Sequence, residues 1–144
     1  LGGKYNMSDI MAAIGRTQLS RFESEFKPKR QMLSEAYYEQ LKKIPGLTLL
    51  DRPSGVFIPH IQPVRVLGGK RDMVRSALLN EGIECGIHYK PNHLLTFFKR
   101  GSTSHLPQTE SLYSELLTLP MQPDLQLEDV QRVSTVIYQA LEHS

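Results

Sequence analysis

Two histidines, His88 and His93, flank a proline-containing bend, Lys90-Pro91-Asn92. Imidazoles held at such a bend can hydrogen-bond a sugar hydroxyl or a phosphate. Just upstream stands Cys85, the lone cysteine of the chain, so that Cys85 and His88 form a Cys-x-x-His. That spacing can supply two zinc ligands, but a structural zinc needs four, and His93 and His105 would have to complete the set. As nucleophile and base the pair is also disfavoured, because residues three apart on one strand point to opposite faces. Cys85 reads more simply as a small buried hydrophobe. No catalytic residue and no metal ligand is assigned. Lys4 is a further candidate for chemistry. A Schiff-base lysine needs a dry pocket beside its cofactor, and a lysine in a loop is ordinarily a solvated charge.

Lys4 nevertheless stands just ahead of a helix start. Gly2-Gly3 makes a turn, Ser8 is a good N-cap, and Asp9 suits the positive end of the helix dipole. Polar backbone and Lys4 held there can present donors to an anion. Behind them Met7, Ile10, Met11 and Ile14 recur at helical spacing, which predicts a buried apolar stripe. The small residues Ala12, Ala13 and Gly15 would let a neighbour pack close.

The remaining elements must position these groups. Pro28 predicts a bend or a fresh helix start. A second helix is expected over 29–44, burying Leu33, Ala36, Tyr37, Leu41 and Ile44, and stopped by Pro45-Gly46. A short strand follows over 47–50, then a turn over 51–55. A longer strand is expected over 56–67, where Pro59 and Pro63 favour an edge or a bulge. A third helix over 70–80 should turn Met73, Val74, Ala77 and Leu78 inward and stop at Gly82. Residues 83–88 read as the next strand, and 97–107 as a mobile loop. A helix over 109–117 should bury Leu112, Tyr113 and Leu116, and 119–123 is extended or a turn. The final helix, over 127–142, carries Val130, Val133, Ile137 and Leu141 at helical spacing, with Glu128 and Asp129 in its first turn. Together these make an α+β layer, a small sheet covered by helices on one face.

Composition bounds the reading. In 144 residues, 40% hydrophobic and 22% charged is ordinary for a soluble domain with a real core. A net charge of +2 is too balanced to make nucleic acid or an anionic membrane the main partner. No apolar run is long enough to span a membrane, and no signal-peptide pattern stands at Leu1. One cysteine allows no internal disulfide and fits a reducing, cytoplasmic setting. The sequence begins at Leu1, within a motif and without Met, which reads as the C-terminal piece of a longer protein.

Three stretches carry a resemblance. In the first, Gly2, Tyr5, Met7, Ser8, Asp9, Ile10, Ala12, Ala13, Gly15, Gln18 and Leu19 match the segment that follows the cofactor-binding domain in sugar aminotransferases of the DegT/DnrJ/EryC1/StrS family. Lys4 and Asn6 depart from it, standing where that family often has Asn and Arg. In the second, Gly82, Ile83, His88, Tyr89 and His93 are similar to the family's Gly-Ile-x-x-x-x-His-Tyr-x-x-x-His run. In the third, Leu117, Leu119, Pro120 and Pro123 are similar to its Leu-Ser-Leu-Pro-x-x-Pro run, again followed by a helix. His60 lies where the family often has His or Tyr.

The resemblance implies the C-terminal small domain of a fold-type I aminotransferase that uses pyridoxal 5'-phosphate (PLP). Its sheet would be small, mainly antiparallel and covered by helices. Residues 1–26 would be a linking helix and cofactor-facing loop, and 27–144 the small domain. The implied reaction transfers an amino group from glutamate to a nucleotide-linked keto-sugar, as in polysaccharide biosynthesis. Lys4, Tyr5 and Asn6 would reach across a homodimer interface toward the PLP phosphate of the partner subunit. His88, Tyr89 and His93 would bind substrate. The lysine that anchors PLP covalently lies upstream in the family, so Lys4 is not that lysine, and the piece alone should be inactive. Two alternatives stay open at this point: a PLP-dependent sugar dehydratase of the same superfamily, with His in place of the anchoring lysine, and a non-catalytic binding domain.

Overall fold

The chain opens in a helix that buries none of its own residues. The computed structural model describes residues 5–52, 55, 57–98 and 105–143. Helix α1 (Asp9–Arg21) starts as expected, the Met11 N–H donating to the Ser8 hydroxyl at 3.4 Å. Its stripe is not buried. Met7, Ile10, Met11 and Ile14 are between 54% and 75% exposed. The periodicity forms the helix, but among the described residues no surface covers it.

The helical path does not break at Pro28. It widens into a π-helical turn (Phe22–Phe26), where the Lys27 N–H reaches back to the Phe22 carbonyl, and runs on as α2 (Lys27–Leu41). Proline cannot donate to the preceding turn, and the wider turn accommodates it within the first turn of α2. Leu33, Tyr37 and Leu41 of α2 are fully buried. Gly46, at φ +80°, reverses the chain through a conformation that favours glycine.

Three strands follow, β1 (Leu47–Leu49), β2 (Gln62–Val66) and β3 (Leu116–Leu119), paired antiparallel in the order β1-β2-β3. Val64 lies between Leu49 and Leu117. The long strand expected over 56–67 is thus only β2, and Pro63 is on the central strand, not at an edge. Pro63 faces Thr118, whose N–H and carbonyl are both turned the other way, bonded to Gly86 at 2.8 and 2.9 Å. The proline nitrogen faces the opposite side, past Leu49, where β1 has ended. Neither neighbour asks Pro63 for a donor, so the usual penalty does not arise.

The strand expected over 83–88 reduces to that single bridge between Gly86 and Thr118. Helix α3 (Arg71–Asn80) buries Val74 and Leu78 and stops before Gly82, at φ +71°. Met73, expected inward, is exposed. Helix α4 (Pro107–Glu115) ends sooner than expected, and the chain enters β3 at Leu116. Leu112, expected buried, is exposed. Of the loop expected over 97–107, residues 99–104 lie outside the described residues. Helix α5 (Leu127–Glu142) has the expected bounds and carries a capping box between Gln126 and Asp129.

One face of the sheet holds the core. Val64, Val66, Leu117 and Leu119 meet Leu33, Tyr37 and Leu41 of α2, Val74 and Leu78 of α3, and Val130, Val133 and Ile137 of α5. Arg65 and Glu115 pair at 2.6 Å beside the sheet. The guanidinium of buried Arg71 donates to the carbonyls of Tyr113 and Leu116 at 3.2 and 3.1 Å, fastening α3 to the joint between α4 and β3. The fold is α+β, a small antiparallel sheet covered by helices, as expected. No helix among the described residues is long and apolar enough to cross a membrane.

Candidate functional site

A groove of about 740 Å³ opens where the start of α2, the approach to β2, residues 82–88 and the exit from β3 converge. Arg30, His60, Cys85 and His88 line it. Arg30 donates to the carbonyls of Pro59 and His60 at 3.2 and 2.9 Å, which fixes the segment that carries His60. Across the groove, the Gly86–Thr118 bridge fixes the segment that carries His88. The His88 ring folds back over Gly86.

The expectation that Cys85 and His88 point to opposite faces does not hold. Both line the groove, because residues 83–88 are not a regular strand. Cys85 is half-buried, and burial pushes its thiol up from the ordinary range. A thiol held protonated is a poor nucleophile and a poor metal ligand. Among the described residues no group of three or more His, Cys, Asp or Glu side chains is arranged to hold a metal.

The other histidine of the bend is placed differently. Tyr89 is 79% exposed, with its ring edge-on to His88 at 4.8 Å. The His93 side chain is only 13% exposed, and its Nε2 lies 3.0 Å from Oε1 of Glu110. The same Oε1 accepts the Leu106 N–H at 3.1 Å. The Leu106 N–H first and the His93 ring second hold the Glu110 carboxyl below its ordinary range. Of the three residues expected at the substrate, His88 reaches the groove, Tyr89 stands beside it, and His93 is tied to α4.

Tyr5 is 93% exposed and Asn6 is exposed, both ahead of the α1 N-terminus. Lys4 lies outside the described residues. A phenol hydroxyl, a side-chain amide and a capped helix start are donors that suit a phosphate, and here none is buried in the chain's own core. Donors of this kind would suit a phosphate such as that of PLP.

Sequence reasoning passed over Arg30 and Glu110. Arg30 sits in the short basic run Lys27, Lys29, Arg30, which patterning assigns to a solvated face. Glu110 follows Pro107 in the first turn of α4, a helix-start signature that says nothing of His93.

The model of the DegT/DnrJ/EryC1/StrS aminotransferase family matches residues 1–138. Among solved structures, the aminotransferase TlmJ from Streptoalloteichus hindustanus is 28% identical, over 98% of this chain and 38% of its own, with a TM-score of 0.88. A sugar aminotransferase from Streptococcus pneumoniae, in its PLP form, is 27% identical over 96% of this chain and 36% of its own, at 0.87. DesI, crystallised in the presence of its TDP-sugar product, is 27% identical over 92% of this chain and 35% of its own, at 0.84. The chain thus spans 35% to 38% of the length of these structures. A match that takes in all three sequence motifs and every element from α1 through most of α5 places the chain in the DegT/DnrJ/EryC1/StrS aminotransferase family.

Proposed function

We propose that this chain is the C-terminal part of a PLP-dependent aminotransferase that moves an amino group from glutamate to a nucleotide-linked keto-sugar in the cytoplasm. The observation that carries the reading is the placement of Tyr5 and Asn6. They stand clear of the core, on the exposed start of a helix whose apolar stripe is also exposed. Such a surface suits contact with another body, here the rest of the enzyme and a second subunit. Likeness to a sugar aminotransferase in its PLP form and to DesI with its TDP-sugar product supports the cofactor and the substrate class.

In this reading residues 1–26 link the cofactor-binding part to the small domain, 27–144. Tyr5 and Asn6, with Lys4, would hold the PLP phosphate of a partner subunit. His88 holds a sugar hydroxyl at the groove, with Tyr89 beside it, and His93 acts from behind through its tie to α4. When bound, PLP supplies the electron sink that lets an amino group leave glutamate and be passed on. The chain alone lacks the covalent anchor and is inactive.

The protein that carries this chain should take up PLP, and glutamate should bleach the cofactor's absorbance. Tyr5→Phe with Asn6→Ala should release PLP more readily. Absence of any absorbance change with glutamate would refute the amino-transfer reading.

A further inference from the structure

The segment bearing His88 is fastened at both ends. At one end Gly86 exchanges two backbone hydrogen bonds with Thr118. At the other, the 3-10 turn Asn92–Leu94 is held through His93 to Glu110 on α4. Between them His88, Tyr89 and Lys90 are exposed. We propose that Glu110 is a positioning residue, whose carboxylate sets the far end of the turn that presents His88 to substrate. This rests on the reading that the His88 turn faces the sugar.

The geometry argues for more than a helix cap. One oxygen of Glu110, Oε1, receives both the Leu106 N–H and the His93 ring. The other, Oε2, is 3.8 Å from Nε2 of His105. A carboxylate only accepts, so Nε2 of His93 carries the proton in this contact, and the tautomer is set by Glu110. The imidazole is nearly covered, so its plane and the direction of the turn are fixed together. Moving Glu110 would free the turn at one end while leaving the Gly86 bridge intact.

The test uses the PLP-loaded protein that carries this chain, with a panel of TDP- and UDP-linked keto-sugars as probes. Glu110→Ala should raise the KM for the sugar about tenfold, which is about 1.4 kcal/mol of binding. The half-reaction with glutamate should stay within about twofold. Hydrogen exchange should quicken in peptides covering 88–94. Glu110→Gln, which keeps an acceptor oxygen, should restore most of the sugar KM. Should Glu110→Ala not fold, Glu110→Asp can still cap α4 but draws back from His93, and should show the same split. An unchanged sugar KM in these variants, or equal losses in both half-reactions, would overturn the positioning role. A wild-type protein that does not react with glutamate would instead overturn the amino-transfer reading beneath it.

Discussion

The imidazole of His88 lies against the α-carbon of Gly86: a β-carbon built there would fall 2.4 Å from Cε1 and 3.1 Å from each ring nitrogen. Gly86 is not free to retreat, because its N–H and carbonyl are both bonded to Thr118. The absent side chain is what lets the ring rest in the groove. Gly86→Ala must therefore turn the ring away. Sugar affinity should fall about tenfold, or about 1.4 kcal/mol, while circular dichroism shows the fold retained. Titration calorimetry with the sugar nucleotide checks this, and undiminished affinity would show that the ring does not bind substrate from that position.

Tyr37 sits at the centre of the core, fully buried, and its hydroxyl has no hydrogen-bond partner among the described residues. Burial pushes its ionisation well above the ordinary tyrosine range. An orphaned buried hydroxyl costs about 1 kcal/mol or more. Tyr37→Phe removes the hydroxyl and keeps the ring, so it should leave stability unchanged or raise it by about 1 kcal/mol. Urea unfolding of the pair measures this. A clear loss of stability would mean that the hydroxyl is bonded after all.

The helices were legible where periodicity and stop signals agreed. In α5 the spacing of Val130, Val133 and Ile137 and the acids at its start fix both ends. Strands were harder. Leu116 to Leu119 is a leucine-rich run, interrupted only by Thr118, directly behind a helix, and periodicity cannot tell such a short run from a further helical turn. Pro63 reads as an edge residue because its tolerance on β2 depends on Thr118 being bonded elsewhere, which is a tertiary fact. The stripe on α1 is visible as a pattern, but burial needs a partner surface that patterning does not supply. The same limit hid Glu110. His93 lies 17 positions away along the chain, and nothing local pairs them.

Leu117 tests the strand that patterning missed. It is fully buried and faces Val64 in the register of β3 on β2. Leu117→Ala should cost about 2–5 kcal/mol, the usual range for emptying a packed leucine site. Denaturant midpoints with an unchanged slope would report this cleanly. A loss below about 1 kcal/mol would mean that the site is not packed core.

The exposed stripe on α1 gives a prediction for the 144-residue chain by itself. Ile10 and Ile14 lie on one side of a helix that buries nothing. Apolar patches of this kind drive association in water. The chain should self-associate as its concentration rises. Ile10→Glu with Ile14→Glu should abolish this in sedimentation runs and leave the thermal midpoint unmoved, since α1 gives nothing to the core. A fall in the midpoint would place α1 in the core of the isolated chain.

Glu110 also sets an acid dependence. Its carboxyl is held below the ordinary 4.5 by the Leu106 N–H and then by His93, with burial opposing them. A carboxyl depressed in the folded state stabilises in full above its unfolded value and loses that contribution as pH falls through its folded value. The loss therefore falls in the window beginning near pH 4.5 and extending below it. Glu110→Gln cannot titrate, so its stability should decline less steeply than wild type over that window. Urea midpoints for the two proteins, taken across a pH series, measure the difference. Two acid limbs that run parallel would mean that Glu110 is as readily protonated in the folded chain as in the unfolded one, and that His93 is held by something other than its charge.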